Sequence, residues 1–300
     1  MGISYVVTAY NKASYLEDTL SSIEAERSES GGEIVIVDDG SSDDSPRILA
    51  RFAAENPHAT VVTQANKGVV GATNTGFFHS KQNVIRFCDA DDLLREGSSR
   101  VLLDALDGSD SGLVYGRHET YQSDPENSPI STGRRPAKVL ANPLRSALQK
   151  NLFSPSSMIV TREVAKSIFP LPEKYRTSQD YMIGLRACFS TRMAKLEEAL
   201  SLGPDHYEDR LSSDKARMYG ETAQFVSEEI LGNLDRWNES DARYALKRTA
   251  GRAILWSRRT GSRPPYRKKL FVLKYATRLR GKAAAAQALS WIAENIYNVR

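Results

Sequence analysis

The stretch EIVIVDDGSSDDS, residues 33–45, decides the fold class of this chain. Its first part, Glu33–Val37, is continuous in β-branched residues, which is typical of a strand buried on both faces of a sheet. An acidic turn follows at once, and Ser45 with Pro46 then predicts a helix that has Ser45 as its N-cap. A buried strand that passes through a short turn into a helix is the unit of a parallel α/β sheet.

The same alternation continues on both sides of this stretch. It predicts an α/β fold of the Rossmann-like kind, with a mostly parallel sheet flanked by helices, and such sheets bind ligands at the carboxyl ends of their strands. The predicted strands are Ile3–Val7, Glu33–Val37, Thr60–Thr63, Asn83–Cys88, Leu113–Tyr115 and Ser156–Val160. The predicted helices are Ser14–Glu24, Ser45–Asn56, Gly71–Ser80, Ser98–Leu106, Arg162–Ile168 and Gln179–Phe189.

Charge divides the chain into two parts. The last sixty residues, 241–300, carry 15 Lys or Arg against two acids, although the whole chain has a net charge of only +4. Residues 121–137 are rich in Pro, Ser, Asn and Gly and predict a long irregular loop. From Lys215 onward the pattern is almost entirely helical. We therefore expect a sheet-based domain over 1–213 and a basic helical region over 214–300.

Composition limits the class of protein. Hydrophobic residues make up 40% and charged residues 26%, which is typical of a soluble globular chain. Cys88 and Cys188 lie in apolar segments, so buried, reduced thiols are expected. The first residues lack a basic, signal-like start, and no apolar run is long enough to span a bilayer. These features predict a cytoplasmic protein.

The sequence FCDADD, residues 87–92, places three carboxylates within four positions at the end of a predicted strand. Like charges this close raise the cost of ionising one another. In extended chain, Asp89 and Asp91 point to the same side, where two carboxylates suit a divalent ion that also binds phosphate oxygens. The alternatives are a solvated turn, or a helix N-terminus that attracts Asp92.

A second carboxylate, Asp39, follows the strand Glu33–Val37. It is placed to accept a hydrogen bond from the N–H group of a heterocyclic ring, and a buried, charge-assisted contact of that kind is selective. The alternative is an Asx-turn that leads into a helix cap, for which Ser41 and Asp43 are equally suited.

Four motifs follow one another in a fixed order, each at the carboxyl end of a predicted strand. They are VVTAYN (6–11), IVDDGSSDDS (36–45), ANKGVVGATNTGF (65–77) and FCDADD (87–92). In this order they resemble the family 2 glycosyltransferases of the GT-A fold, over roughly residues 1–210. The resemblance implies transfer of a sugar from a nucleoside-diphosphate donor, with inversion at the anomeric carbon.

The resemblance also implies roles for individual residues. Asp39 would bind the N3–H of a uracil or thymine, and Asp89 would lie towards the ribose and the metal. Asp91 would ligate Mg²⁺ or Mn²⁺ at the diphosphate. Thr73 stands where many relatives have Arg or Lys at the diphosphate; Lys67 would compensate, or the metal would suffice. The remaining nucleotide-binding residues implied by position are Thr8, Ala9, Tyr10 and Asn74.

The family carries an acidic pair, usually Glu-Asp, at the start of a later helix, and Gln179-Asp180 stands there in this chain. Asp180 would be the general base that deprotonates the acceptor, with Gln179 beside it. The alternative is a capping role, since Ser178 is a natural N-cap. Further on, His206 would be a third metal ligand, the alternative being a surface or capping histidine, and Arg210 would meet a phosphate or the acceptor.

The basic region favours a contact with an anionic surface. Its Lys and Arg residues alternate with Trp, Phe, Leu and Tyr, a pattern that suits helices lying on the inner face of the cytoplasmic membrane. The alternative is helices whose charges complement the acidic domain or a second subunit in a homo-oligomer. Nucleic acid is an unfavoured partner, because no nucleic-acid-binding motif accompanies the charges.

The sequence therefore predicts a metal-dependent glycosyltransferase that adds one sugar, from a donor such as a UDP-sugar, to a polysaccharide or lipid-linked glycan. One alternative is a sugar nucleotidyltransferase, although VVTAYNKASY (6–15) lacks the Gly-rich, Arg-containing phosphate loop expected there. The other is a non-catalytic scaffold that binds nucleotide sugars and attaches to a membrane or partner through its basic tail.

Overall fold

The computed structural model describes residues 2–121, 136–205, 214–259 and 281–297. Within these ranges nine strands form one sheet, in the order β3-β2-β1-β4-β8-β6-β9-β5, with β7 paired to β9. The strands are β1 Ile3–Ala9, β2 Gly32–Asp38, β3 Ala59–Thr63, β4 Val84–Asp89, β5 Leu93–Leu94, β6 Leu113–Tyr121, β7 Lys138–Val139, β8 Met158–Thr161 and β9 Met193–Pro204.

Six of these nine strands run in the same direction. β1 to β4 are mutually parallel, β6 and β9 share their direction, and β5, β7 and β8 run the opposite way. The predicted α/β fold with a mostly parallel sheet is thus confirmed. Because parallel strands end at one edge, the carboxyl ends of β1, β2, β3 and β4 are neighbours.

The helices of the described ranges are α1 Ala13–Ser30, α2 Ser45–Glu55, α3 Gly68–His79, α4 Ser98–Ser109, α5 Pro143–Gln149, α6 Arg162–Ile168, α7 Gln179–Ala187, α8 Lys215–Gly232, α9 Glu239–Arg259 and α10 Lys282–Ile296. Of these, α1, α2, α3, α4 and α6 pack against strands of the sheet. Leu16, Leu20 and Ile23 of α1 pack in the main core against the apolar residues of β1 and β2. On the other face α3 lies very close to β1, where a Cβ added at Gly76 would overlap the Val6 side chain.

The long strand β9 was not predicted from the sequence. Its residues, MAKLEEALSLGP, are mostly strong helix formers, so local preference gives no strand signal. Pairing with β6 over most of its length, and burial of nearly every side chain, override that preference.

The chain folds as two compact units. One comprises Met1–Pro143 and Leu152–Tyr207, and the other comprises Leu144–Asn151 and Glu208–Arg300. The sequence-predicted boundary at 213/214 stays a prediction. In the second unit α10 packs against α8 and α9, and the Ser227 hydroxyl donates to the Ala286 carbonyl over 2.7 Å.

Some basic residues of α9 serve the fold of the second unit. Arg252 donates to the carbonyls of Leu148 and Gln149 at the end of α5, and Arg248 also donates to Gln149. Cationic side chains are favourable at a helix C-terminus because they complement its dipole. None of the helices in the described ranges is long and apolar enough to cross a bilayer. Residues 260–280, which hold much of the basic tail, lie outside the described ranges.

Both cysteines are free, as predicted, and Cys88 is buried whereas Cys188 is partly buried. Burial raises the pKa of each thiol to about 12, so both remain protonated at neutral pH.

A buried ion pair joins β4 to the helical layer. The guanidinium of Arg86 is fully buried and lies 3.6 Å from the Glu26 carboxylate of α1. Glu26 accepts hydrogen bonds from the backbone N–H groups of Gly97 and Ser99, at the start of α4. Arg86 donates to the Ser156 carbonyl through two nitrogens, at 3.1 and 2.8 Å, and to the Leu200 carbonyl. One cation therefore connects β4, α1, α4 and β9.

Glu26→Ala is expected to lower the free energy of unfolding by about 3–5 kcal/mol, because it leaves the buried Arg86 without its counter-ion. The matched control is Glu24→Ala in the same helix. Glu24 is partly exposed and pairs with Arg27 and His58, so its loss should cost under about 1 kcal/mol. Urea unfolding followed by circular dichroism measures both, and equal losses would contradict the assignment.

Candidate active site

The candidate site lies at the shared carboxyl edge of β1, β2 and β4. Thr8 is paired with Asp89 across the sheet, and Ala9 is paired with Asp38. The Asp39 N–H donates to the Ala9 carbonyl over 2.9 Å. The first, second and fourth sequence motifs, which are far apart in the chain, therefore meet at this edge.

The polar residues after β2 hold the loop that follows β1. Asn11 N–H donates to Ser41 Oγ, Lys12 N–H donates to Ser45 Oγ, and Ala13 N–H donates to Asp43 Oδ2, each over 3.0 Å. These bonds satisfy N–H groups at the start of α1 that have no partner within the helix. The prediction that Ser45 caps α2 was wrong. Ser45 is the first residue of α2, and its hydroxyl serves α1 instead.

Asp39 is held in a fixed orientation beside α3. It is only 3% exposed, and its Oδ1 accepts from Gln64 Nε2 at 2.7 Å and from the Lys67 N–H at 2.9 Å. Thr75 donates to Gln64 Oε1, which turns the Gln64 amide group towards Asp39. Among the described residues no hydrogen bond uses Asp39 Oδ2. A buried carboxylate thus keeps one acceptor atom for a ligand.

Asp91 is paired with a lysine from the loop after β1. Lys12 Nζ lies 2.6 Å from Asp91 Oδ2, and the two side chains are 28% and 20% exposed. The Lys12 ammonium thus supplies a positive charge beside the acidic cluster.

Asp92 lies in the interior behind this pair. Its Oδ2 accepts from Ser156 Oγ at 2.6 Å and lies 3.7 Å from His118 Nδ1. Ser156 Oγ also accepts from the Asp89 N–H at 3.1 Å. The hydroxyl of Ser156 therefore fixes both ends of the turn that carries the three carboxylates.

Asp89 is an acid whose ionisation the fold disfavours. Burial raises the pKa of Asp89 well above its usual range, and the charges of Asp92, Asp91 and Asp180 raise it further, whereas the Lys12 ammonium lowers it. The Asp180 charge is thus among those that act on Asp89, and the role of Asp180 as the base stays a prediction.

Asp180 lies in the first turn of α7, after Ser178, which has a positive φ of 64°. The Ser178 side chain makes no capping hydrogen bond, and Asp180 Oδ1 accepts from the Tyr181 N–H over 2.7 Å. Gln179 begins the helix beside it, partly exposed. Its place in the first turn of α7 and its contact with the Tyr181 N–H fit the capping interpretation, and the catalytic role of Asp180 stays a prediction.

The other predicted residues differ in their surroundings. Tyr10 is 47% exposed at the end of β1, which leaves its ring accessible to a ligand. Lys67 is exposed, and its backbone binds Asp39. Asn74 is buried and exchanges two hydrogen bonds with the backbone of Leu171. These Asn74 contacts serve the fold, and its nucleotide contact stays a prediction.

The residues fit a divalent metal ion whose coordination would be completed by the substrate. Within the described ranges no three His, Cys, Asp or Glu side chains are arranged to hold a metal ion. Asp89 and Asp91 supply hard oxygen ligands, and a Mg²⁺-like ion bound through one or two carboxylates takes its remaining ligands from water and phosphate. His206 and Arg210, predicted as a metal ligand and a phosphate or acceptor contact, lie outside the described residues.

Sequence reasoning missed three residues at this site: Lys12, Gln64 and Ser156. Lys12 lies 79 positions from Asp91, and Ser156 lies 64 positions from Asp92, so no local pattern links them. Gln64 directly follows β3, and its position at a strand end was the one signal available.

Asp89→Asn is expected to stabilise the protein at neutral pH in the presence of a chelator. In the unfolded chain Asp89 ionises near pH 4, but the fold raises its pKa. The wild type therefore loses stability as pH rises from the unfolded-state pKa of Asp89 to its higher folded-state pKa. The Asn variant has no such loss, so its free energy of unfolding relative to wild type should be greater at pH 7 than at pH 4 by on the order of 1 kcal/mol.

Thermal unfolding of the variant and the wild type at both pH values measures this gain. Asp44→Asn is the control with the opposite sign, because the hydrogen bond from Arg47 lowers the pKa of Asp44. A stability difference between Asp89→Asn and wild type that does not change with pH would contradict the raised pKa.

Curated relatives are glycosyltransferases. An uncharacterized glycosyltransferase of Nostoc sp. (strain PCC 7120) is 31% identical over 208 residues, which is 67% of this chain and 64% of that protein. Glycosyltransferase GlyG of Streptococcus pneumoniae is 32% identical over 126 residues, 42% of each chain. The poly-beta-1,6-N-acetyl-D-glucosamine synthase of Staphylococcus aureus is 29% identical over 34% of this chain and 25% of its own length. The matches thus span less than two thirds of these relatives.

Solved structures show the same fold. S. aureus TarS 1-349 in complex with UDP-GlcNAc has a TM-score of 0.68 at 17% identity, covering 97% of this chain and 91% of that one. The mannosyltransferase PcManGT from Pyrobaculum calidifontis, in complex with GDP-Man and Mn²⁺, has a TM-score of 0.58 at 16% identity, covering 99% and 88%. These likenesses confirm the predicted GT-A fold.

The family profile described as Glycosyl transferase family 2 matches residues 4–169, more than half of the chain. The profile includes the four motifs and the edge at which β1, β2 and β4 end. This chain therefore belongs to glycosyl transferase family 2.

Proposed function

We propose that this protein is an inverting glycosyltransferase that moves one sugar from a UDP-sugar to a hydroxyl of a glycan acceptor. The observation that carries the proposal is the meeting of Asp39, Asp89 and Asp91 at the shared carboxyl edge of β1, β2 and β4. It supports a single site in which a buried acceptor for the nucleobase lies near the acids that would face a donor diphosphate.

Asp39 is proposed to select the nucleobase. Uracil presents an N3–H donor between two carbonyl groups, and Asp39 Oδ2 is an acceptor that no described residue uses. Cytosine has an acceptor at N3, so its pairing with a buried carboxylate would leave both groups unsatisfied. S. aureus TarS binds UDP-GlcNAc in the crystal, which makes UDP-GlcNAc the first donor to test.

Asp91, with Asp89 beside it, is proposed to hold Mn²⁺ or Mg²⁺ at the donor diphosphate. When bound, such an ion acts as a Lewis acid and stabilises the charge of the departing diphosphate. PcManGT, a structural neighbour, binds Mn²⁺ together with GDP-Man. Thr8 and Ala9 would form the floor of the nucleotide pocket, with Tyr10 against the base.

Asp180 is proposed as the general base. As a partly exposed carboxylate in the first turn of α7, it can accept a proton from an acceptor hydroxyl that enters from solvent. The hydroxyl oxygen then attacks the anomeric carbon from the side opposite the diphosphate, which inverts the configuration. The N-terminus of α7 favours the ionised form of Asp180.

A polysaccharide or a lipid-linked glycan is the proposed acceptor, and the protein is proposed to be cytoplasmic and peripheral on the inner membrane face. Exposed Leu255 and the exposed basic residues Arg243 and Lys247 of α9 support an anionic surface as partner. Arg248 and Arg252 instead serve the fold of the second unit.

Titration with UDP-sugars, with and without Mn²⁺, tests the proposed function. Metal-dependent release of UDP, by transfer or slow hydrolysis, supports a glycosyltransferase. Formation of pyrophosphate from a nucleoside triphosphate and a sugar phosphate would indicate a nucleotidyltransferase instead. Nucleotide-sugar binding without either reaction would indicate a scaffold.

Asp180→Asn is expected to keep the affinity for UDP and to lower turnover by about 10²–10⁴-fold, because it removes the base but preserves the shape of the side chain. Calorimetry with UDP and a UDP-release assay measure the two quantities. Asp110→Asn, a remote and highly exposed acid paired with Arg192, is the matched control and should leave both unchanged. Near-normal turnover of the Asp180 variant would show that the base is another group.

A further inference from the structure

The pair formed by Lys12 and Asp91 bears directly on how a metal enters this site. The Lys12 ammonium lies 2.6 Å from Asp91 Oδ2, within the range of a strong charge-assisted hydrogen bond. The backbone of Lys12 is also fixed, because its N–H donates to the buried hydroxyl of Ser45. The ammonium therefore reaches Asp91 from an anchored position at the start of α1.

The ammonium and a divalent metal cannot both bind Asp91 in this way. Lys12 occupies Oδ2, and a metal on the other oxygen would stand close to a like charge in a partly buried site. Metal binding therefore requires the Lys12 ammonium to move away from Asp91. The free energy of the ion pair is then lost unless the ammonium pairs with another anion. In the described ranges Lys12 has an ion pair with Asp91 and no second carboxylate partner.

We propose that Lys12 and the divalent metal compete for Asp91, so that the metal binds tightly only together with a nucleoside diphosphate. This inference rests on the proposed function and adds an order of binding to it. The diphosphate would supply further oxygen ligands for the metal and an anion that can accept the displaced ammonium. Lys12 thus positions Asp91 and couples the two ligands.

Mn²⁺ binding to the purified full chain, followed by electron paramagnetic resonance, tests the coupling. Wild type should bind Mn²⁺ weakly alone and about 5–150-fold more tightly with saturating UDP, the usual range for coupled ligands. Lys12→Met keeps the length of the side chain but removes its charge. It should bind Mn²⁺ alone at least tenfold more tightly than wild type, and UDP should then improve Mn²⁺ affinity much less.

Two further variants separate competition from a general effect of charge. Lys12→Arg keeps the cation and should behave as wild type. Lys81→Met removes the same charge at the opposite, amino edge of β4, and Mn²⁺ affinity should not change. Equal Mn²⁺ affinity of Lys12→Met and wild type, with UDP binding intact, would overturn this inference and leave the proposed function standing. Absence of any UDP binding by wild type would overturn both.

Discussion

Repulsion among the carboxylates at the end of β4 is the constraint on which the rest of this structure depends. Burial makes the ionisation of Asp89 costly, and the charges of Asp92, Asp91 and Asp180 raise its pKa further. The surrounding residues stabilise the individual carboxylates in different ways. Lys12 pairs with Asp91, while Ser156 and His118 hold Asp92. Burial is the main cause of the raised pKa of Asp89, and among the described residues no ion pair to its carboxylate offsets that burial.

The support for this cluster extends deep into the core. Ser156, which fixes the turn of the three acids, is itself held by the Arg86 guanidinium through its carbonyl. Arg86 depends in turn on Glu26, at the far side of β4. A site that concentrates like charges is destabilising in itself, and proteins commonly accept that cost where function requires it. Here the Arg86–Glu26 pair and its hydrogen bonds fix the backbone behind the site.

The sequence predicted the edge of the sheet better than the contacts made there. The order of four motifs, each after a strand, placed Asp39, Asp89 and Asp91 together because parallel strands end at one edge. It could not predict Lys12 against Asp91, because that contact depends on how the loop after β1 is anchored by Ser41, Asp43 and Ser45.

Contacts that form only in the folded chain account for what the sequence did not predict. The motif does not reveal that the Asn74 side chain holds the Leu171 backbone, and the nucleotide contact of Asn74 stays a prediction. Thr73 is buried, and its hydroxyl donates to the Val69 carbonyl. The strand β9 was missed because its helix-forming residues become a strand only when β6 is present to pair with them.

A crystal structure of the wild type with UDP and Mn²⁺, recorded at the manganese absorption edge, tests the central claim most directly. The account predicts an anomalous peak bonded to Asp91 and to a diphosphate oxygen, the uracil N3–H on Asp39, and the Lys12 ammonium moved off Asp91. A peak elsewhere, with the Lys12–Asp91 pair intact while UDP is bound, would contradict it.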